Sequence, residues 1–512
     1  MTEDDRLERL ANSVLWPGFL GDAVPAWLAD ALTDGLAGVV YFAQNLGGDT
    51  AALSAEIHRI APHALIGIDE EGGSVTRLET STGSTVPGAA QLGALDDLAA
   101  TRATGYEIGR RVDRIGADVV IGPVADVNTD PRNPVIGVRA FGSDTDLVSR
   151  HVAAAVRGLQ DAGVAACAKH YPGHGDTHTD SHHDLPHLTL SREEIEAAHL
   201  PPFAAAMDAG VRAIMTAHII APHWGDVPAT LNAETLGALR DSGFDGVIIT
   251  DALDMAAIRE SVGIGGGAVQ ALAAGADLLC IGNPTNPGAA MLPDQDEQDY
   301  LTARNAIVAA IRSGALPRER VQEAARRVAS MADAVRSRRP AAGIPFDADA
   351  IADRALHVHG SFEPFADSPT SVLDLRRPSS LAVDSAASHV ALALAAGGEI
   401  VRVDAVATAP DGASDARVAT LAAEATAAVT AAATAAVPPQ TVILVDRMDA
   451  DSPQRVLLDG IRTALLGAVI VNVGLDAEVD GPAISVSAAS LLAARAARRT
   501  LLNPPAPDRK KS

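Results

Sequence analysis

The six residues GVIITD, residues 246–251, carry the pattern that decides the fold. The run is apolar without alternation, and a carboxylate follows it at once. A strand of that composition has both faces buried, as in a parallel sheet that is covered on both sides. The same pattern recurs at residues 38–42, 64–68, 117–121, 164–168, 213–216 and 276–281. Seven such runs predict a parallel sheet in an α/β protein.

Helix-period segments lie between these runs, at residues 98–115, 147–162 and 192–209. Ser191, with Glu194 three residues later, predicts a capping box at the start of the last segment. Strands and helices that alternate in this way predict a (β/α)8 barrel of the triosephosphate isomerase type, with one degenerate strand. A doubly wound open sheet is the alternative, but the sequence contains no glycine-rich dinucleotide fingerprint to support it.

A second, smaller α/β domain is predicted to follow the barrel. The expected division is a catalytic (β/α)-barrel at 1–336, a polar, proline-dotted linker at 337–369, an α/β domain at 370–503 and a loose tail at 504–512. Strands of the second domain are expected at residues 381–383, 389–394, 400–403, 441–445, 468–473 and 484–486. The alanine- and threonine-rich run 419–437 is expected to be a surface helix.

Composition excludes several kinds of partner. The formal net charge of -25 opposes binding to nucleic acid and to anionic membrane surfaces. Apolar residues make up 47% of the chain but aromatic residues only 3%, so the cores must consist of Ala, Val, Leu and Ile. Cys167 and Cys280 lie in apolar runs and are predicted to be reduced core residues. The acidic N-terminus and the lack of a long apolar run predict a cytoplasmic protein without a membrane span.

Polar side chains follow five of the predicted strands. They are Asp69, Asp126, Lys169 with His170, His218 and Asp251. Because active-site residues of such barrels lie at the carboxyl ends of the strands, these residues predict a polar pocket on one face. For Asp126 the alternative is that it caps the following helix.

The densest polar segment is KHYPGHGDTHTDSHHDLP, residues 169–186. It has three interpretations: a solvated loop, a zinc site with His174, His178, Asp180 and His182 as ligands, or an acid/base loop. Neither an H-E-x-x-H helix nor a cysteine pair supports the zinc site. In the acid/base interpretation Asp180 orients His182 and stabilises its imidazolium form. Histidine titrates near neutral pH, so it can donate a proton and then take one back.

These motifs resemble those of glycoside hydrolase family 3, in its β-N-acetylglucosaminidase branch. Residues 169–182 match the signature K-H-[FY]-P-G-H-G-x-x-x-x-D-S-H, and DEEGG at 69–73 matches the motif D-x-E-G-G. ITDALDM at 249–255 is similar to the nucleophile segment. NPVIGVRAF at 133–141 looks like a sugar-binding loop, and MTAH at 215–218 like a further family segment. The resemblance spans residues 10–335 in consistent order.

The resemblance implies a retaining glycosidase that needs neither metal nor organic cofactor. Asp251 would be the nucleophile, and His182, paired with Asp180, the acid/base. The residues implied to hold sugar hydroxyls are Asp69, Arg139, Lys169 and His170. Asp126 and His218 are predicted to bind the substrate together with them. Two positions depart from the family pattern: Ser74 stands where many relatives have arginine, and Val138 where many have aspartate. The sugar, N-acetylglucosamine or glucose, therefore stays open.

The acceptor also stays open, because a neutral imidazole does not repel an anion as a carboxylate base does. Water and inorganic phosphate both fit, which predicts either a glycosidase or a β-glycoside phosphorylase. Two other classes remain as alternatives. One is a metal-dependent hydrolase that uses the His/Asp-rich loop, and the other is a catalytically inactive sugar-binding protein on the same fold.

Overall fold

The computed structural model describes two compact units of the chain. The described residues are 2–177, 185–286, 292–380, 383, 386–403, 440–448, 452, 454–455, 457–458, 465, 467–477 and 479–505. The barrel unit comprises Met1–Glu71, Asp97–Ile136 and Ala140–Phe346. The second unit comprises Gly72–Asp96, Gly137–Arg139 and Asp347–Ser512. Two segments within the first 336 residues thus group with the second unit.

The barrel unit contains the eight parallel strands of a (β/α)8 barrel. They are β1 Leu15–Pro17, β2 Gly38–Tyr41, β3 Leu65–Ile68, β4 Val119–Val120, β5 Ala165–Tyr171, β6 Ala213–Thr216, β7 Val247–Ile249 and β8 Leu279–Gly282. β2 to β7 pair in sequence order, β8 pairs with β1, and a bridge between Ile249 and Leu278 joins β7 to the residue before β8. The seven predicted strands are confirmed, and β1 is the eighth, which the sequence pattern did not reveal.

Helices follow the strands as the repetition predicts. In chain order they are α1 Glu3–Asn12, α2 Ala26–Thr33, α3 Thr50–Ile60, α4 Ala89–Leu95, α5 Leu98–Arg114, α6 Thr145–Asp161, α7 Arg192–Ala198, α8 Pro201–Asp208, α9 Ala233–Asp241, α10 Ala256–Arg259, α11 Gly263–Ala274, α12 Gln295–Ser313 and α13 Arg318–Arg336. The capping box of Ser191 and Glu194 is confirmed. The single helix predicted at 192–209 is wrong: it is two helices, because Pro201 lacks the amide that would continue the first.

Apolar side chains, among them one tryptophan, fill the barrel core. Trp16 on β1 is fully buried, and its indole Nε1 donates to the carbonyl oxygen of Leu65 at 2.8 Å. A Cβ atom at Gly67 would overlap the Trp16 ring. The absence of a side chain at Gly67 therefore makes room for the Trp16 ring, which fills space in a core that has few other aromatic side chains. Both cysteines are buried free thiols, as predicted.

A buried carboxylate before β8 connects strand β7 to helices α9 and α13. Asp277 is fully buried and accepts from the backbone amide of Ile248 at 3.0 Å. Three guanidinium groups surround it: Arg240, Arg320 at 2.6 Å and Arg327 at 3.4 Å. This end of the barrel is thus stabilised by ion pairs, away from the face on which barrel enzymes place their chemistry.

The second unit has a six-stranded sheet in the order β11-β10-β12-β13-β14-β9. Its elements are α14 Ala348–Ala355, β9 His357–His359, β10 Ser371–Asp374, α15 Ser388–Ala395, β11 Ile400–Arg402, β12 Thr441–Val445, β13 Val469–Asn472, β14 Ala483–Ser485 and α16 Leu491–Leu502. All strands are parallel except β9, which pairs antiparallel with β14. The strands predicted at 400–403, 441–445, 468–473 and 484–486 are confirmed.

Two predictions for this region are wrong. Residues 389–394 form helix α15 instead of a strand, because the buried positions Val390, Ala391, Leu394 and Ala395 follow helical spacing while Leu392 is exposed. The linker predicted at 337–369 contains α14 and β9, so part of it belongs to the folded second unit. The expected strand at 381–383 lies mostly, and the helix at 419–437 wholly, outside the described residues.

Within the part of the chain that the structure describes, no helix combines the length and the apolar character that crossing a bilayer requires.

Candidate active site

The predicted polar residues lie on five neighbouring strands of the barrel. Asp69, Asp126, His218 and Asp251 follow the carboxyl ends of β3, β4, β6 and β7, and Lys169 and His170 occupy the end of β5. Because β3 to β7 are adjacent and parallel, the sheet order places all of these residues at one end of the barrel. The polar pocket predicted from the sequence would lie at this end.

Lys169 is held by two carboxylates. Its Nζ lies 2.6 Å from Asp69 Oδ1 and 2.7 Å from Glu71 Oε1. The side chains of Lys169 and Glu71 are 3% and 7% exposed, while that of Asp69 is 22% exposed. A buried ammonium group requires such compensation. The sequence reasoning missed Glu71, although it is the third residue of the D-x-E-G-G motif that pointed to Asp69.

Asp126 orders the loop that follows β5. Its fully buried carboxylate lies 2.7 Å from His170 Nδ1 and accepts from the backbone amides of His170 at 3.2 Å and His174 at 2.7 Å. Burial alone would raise the pKa of Asp126, but the histidines outweigh burial and lower this pKa below its usual value. The carboxylate is thus ionised and engaged by the loop. The helix-cap alternative is wrong, and a direct contact of Asp126 with sugar stays a prediction.

Two glycines allow the start of the His/Asp-rich loop to pack closely. Gly173 has φ of 126°, and a Cβ atom there would lie 2.7 Å from His199 Cβ. A Cβ atom at Gly175 would overlap the backbone carbonyl of Val127. The two glycines of the P-G-H-G segment are therefore required for close packing of the backbone, and this segment lies beside the candidate site.

His174 and Asn133 close this part of the loop. Asn133 Nδ2 donates to the backbone carbonyl of His174 at 2.8 Å, so the loop 133–141 supports the histidine loop. His174 is buried, and its Nδ1 lies 2.8 Å from Thr177 Oγ1. Burial, with repulsion from His170, lowers the pKa of His174 to about 4, so this imidazole is neutral at neutral pH. It supports its own loop.

The residues predicted to act as acid/base lie outside the described part of the chain, which omits 178–184. They are Asp180 and His182, and the same holds for His178, one of the ligands considered for zinc. Among the residues that the structure describes, no group of three or more His, Cys, Asp or Glu side chains is arranged to hold a metal ion.

The backbone around Asp251 is organised by hydrogen bonds. The amide of Ala252 donates to Asp251 Oδ1 at 2.8 Å, which orients a carboxylate that is only partly buried. The fully buried His218 has Nε2 2.8 Å from the carbonyl oxygen of Ala252 and Nδ1 2.9 Å from Thr230 Oγ1. Both ring nitrogens thus contact protein groups, and sugar binding by His218 stays a prediction. The sequence reasoning missed Thr230.

Electrostatics relate the strand ends to one another. Burial raises the pKa of the Cys167 thiol; Lys169 opposes this rise, and the charges of Asp69 and Asp251 add to it. Charges at the carboxyl ends of β3, β5 and β7 therefore all affect the pKa of one buried thiol on β5. Arg139 lies in the short turn Gly137–Arg139, which groups with the second unit, and it is 8% exposed. Its predicted role in sugar binding stays a prediction.

Comparisons with known proteins agree on one family. The model of the glycosyl hydrolase family 3 N-terminal domain matches residues 28–331. A β-hexosaminidase of Chromobacterium violaceum is 38% identical over 266 residues, which cover 50% of this chain and 74% of that protein. The structure of a family 3 β-N-acetylglucosaminidase from Paenibacillus sp. str. FPU-7 is 28% identical, with a TM-score of 0.80 over 98% of this chain and 97% of that one. The β-glucoside phosphorylase BglX, 17% identical with a TM-score of 0.70 over 99% of this chain and 92% of its own, shares the fold.

Proposed function

The chain belongs to glycoside hydrolase family 3 and is a β-glycosidase of that family, and from this premise we propose a retaining mechanism in which Asp251 is the nucleophile. The proposed substrate is a terminal β-N-acetylglucosaminide or β-glucoside. The observation that carries the proposal is the position of Asp251, whose partly exposed carboxylate follows β7 at the same end of the barrel as Lys169, Asp69 and His170.

In the first step the Asp251 carboxylate attacks the anomeric carbon and the bond to the leaving oxygen breaks. His182, as imidazolium paired with Asp180, gives its proton to that oxygen. In the second step neutral His182 takes a proton from the acceptor, whose oxygen attacks the anomeric carbon and releases Asp251. Two inversions retain the β configuration, and no step requires a metal or an organic cofactor.

The sugar would be oriented by a mixed set of donors and acceptors. Lys169 can only donate and the Asp69 carboxylate can only accept, whereas a sugar hydroxyl does both. The two groups lie 2.6 Å apart, which suits two neighbouring hydroxyls or one hydroxyl held from both sides. His170, Asp126, His218 and Arg139 are the further proposed binding residues. The β-hexosaminidase and β-N-acetylglucosaminidase relatives favour N-acetylglucosamine.

The proposed acceptor is water or inorganic phosphate. The test is to incubate the enzyme with an aryl β-N-acetylglucosaminide and an aryl β-glucoside, each with and without phosphate, and to identify the sugar product. Free sugar alone indicates a glycosidase, and a sugar 1-phosphate of retained β configuration indicates a phosphorylase. Asp251→Asn should abolish both reactions. Full activity of that variant would refute the nucleophile assignment.

The acid/base proposal has its own test. His182→Ala should slow substrates with poor leaving groups far more than activated aryl glycosides, which depart without protonation. An equal defect on both substrates would refute the acid role. Activity that chelator abolishes and zinc restores would favour the metal-dependent alternative instead.

A further inference from the structure

A chain of buried hydroxyl and imidazole groups connects the backbone of Asp251 to that of Ala252. Thr216, His218 and Thr230 are all fully buried. The Asp251 amide lies 3.4 Å from Thr216 Oγ1, which lies 2.8 Å from Thr230 Oγ1. Thr230 Oγ1 in turn lies 2.9 Å from His218 Nδ1, and His218 Nε2 lies 2.8 Å from the Ala252 carbonyl oxygen. This series of hydrogen bonds therefore begins at the backbone of Asp251 and ends at the backbone of the next residue, Ala252.

The chemistry of the end groups sets the direction of the hydrogen bonds. The Ala252 carbonyl only accepts, so His218 Nε2 carries a proton, and in the neutral imidazole Nδ1 accepts from Thr230. Thr230 has a single hydroxyl proton, which it shares between His218 Nδ1 and the Ala217 carbonyl oxygen, so in the bond between the two hydroxyls Thr216 donates and Thr230 accepts. Thr216 in turn accepts from the amide of Asp251. All four bonds run in one sense, and each polarises the next. Thr230 is the group through which the threonine of β6 and the histidine after it act together.

Thr230 is itself rigidly placed. It lies in the turn Ala229–Leu231, where the Ala229 amide donates to the carbonyl of Ile219 at 2.8 Å. The Ala217 carbonyl oxygen, which shares the Thr230 hydroxyl proton with His218 Nδ1, lies 2.9 Å from Thr230 Oγ1 on the segment after β6. Through Thr216 and His218, Thr230 thus links the end of β6 to Asp251 and Ala252, which follow β7.

We propose that Thr230 is a positioning residue for the nucleophile. It fixes, through Thr216 and His218, the backbone on both sides of the Asp251 carboxylate. The inference rests on the proposed function of Asp251. An attacking oxygen must be held in line with the anomeric carbon, and a displacement of about 1 Å can cost about a hundredfold in rate.

The test compares variants in their labelling by a 2-deoxy-2-fluoro glycoside, followed by peptide mapping. Thr230→Val keeps the shape of the side chain and removes its hydroxyl, whereas Thr230→Ser keeps the hydroxyl. Thr235→Val is the matched control, since Thr235 is also buried but lies on α9 and is not one of the three hydrogen-bonded side chains Thr216, His218 and Thr230. We expect Thr230→Val to slow labelling of Asp251 about tenfold to a hundredfold at an unchanged dissociation constant for the glycoside. Thr230→Ser and Thr235→Val should label at nearly the wild-type rate.

A double variant tests the route of the effect. If Thr216 and Thr230 act in one chain, the combined Thr216→Val and Thr230→Val substitutions should slow labelling little more than one of them. Multiplied effects would overturn the inference. Labelling of Thr230→Val at the wild-type rate would also overturn it. So would labelling that is equally slow, with equally weakened glycoside binding, in Thr230→Val and Thr235→Val, because that result indicates a general loosening of the fold. Labelling of the wild-type enzyme at a residue other than Asp251 would instead refute the proposed nucleophile. This result would be visible before any variant is compared.

Discussion

Removing the charge of Glu71 should weaken catalysis through Lys169. Glu71→Gln keeps the shape of the side chain, but it removes the negative charge that lies 2.7 Å from the buried Lys169 ammonium and leaves Asp69 in place at 2.6 Å. Lys169 should then bind Asp69 more tightly and compete with the sugar for that carboxylate. Catalytic efficiency should therefore fall although no group proposed to touch the reacting atoms has changed.

The magnitude follows from the geometry. The bond from Lys169 Nζ to Glu71 Oε1 is 2.7 Å long, and both side chains are at least nine-tenths buried. A hydrogen bond to a charged group contributes about 1.5–3 kcal/mol. If this energy is lost from the transition state, kcat/KM falls by about tenfold to a hundredfold.

The assay is the initial rate on an aryl β-N-acetylglucosaminide, with the melting temperature measured alongside. Glu107→Gln is the control, because Glu107 is a carboxylate bonded to two arginines on α5, away from the strand ends. Glu107→Gln should lower the melting temperature while kcat/KM stays close to the wild-type value. Lys169→Met should reduce kcat/KM further, and adding Glu71→Gln to it should cost little more. If the two losses multiply, Glu71 does not act through Lys169 and the reasoning is refuted.

Three further outcomes are expected. Asp277→Asn should lower the free energy of unfolding by about 3 kcal/mol, because it leaves three partly buried guanidinium groups without their anion, while kcat/KM stays unchanged; a large activity loss would contradict a purely stabilising role. His174, whose pKa falls from 6.5 unfolded to about 4 folded, contributes stability that is complete above pH 6.5 and is lost by about 3 kcal/mol as the pH falls to 4. Denaturant titrations of His174→Gln should show a flatter dependence on pH than wild type, whereas the exposed control His63→Gln should not. Gly175→Ala should reduce kcat/KM about a hundredfold, since its Cβ would overlap a backbone carbonyl, and Gly47→Ala, which meets no atom within 4 Å, should not; equal rates would show that the loop adapts.

Local patterns predicted much of the fold. Seven of the eight barrel strands were predicted because a strand buried on both faces must be apolar at consecutive positions, which the sequence displays directly. Strand β1 was missed because its three residues, Leu15–Pro17, are too few to form a pattern. Helix α15 was taken for a strand because short apolar runs look alike in both structures until the buried face is known.

The sequence by itself determined seven of the eight barrel strands, the end of the barrel that carries polar groups, and the candidate residues Asp69, Lys169, His170 and Asp251. The strands follow from the apolar runs, and the candidate residues follow from their type and their place after such a run. Only the tertiary structure decided which groups meet: Glu71 with Lys169, 98 positions further along the chain, and Thr230 with His218, twelve positions away. It also decided that residues Gly72–Asp96, directly after the D-x-E motif, group with the second unit. The physical reason is that burial leaves a periodic trace in the sequence, whereas a hydrogen-bond partner is selected by distances between strand ends that no local pattern encodes.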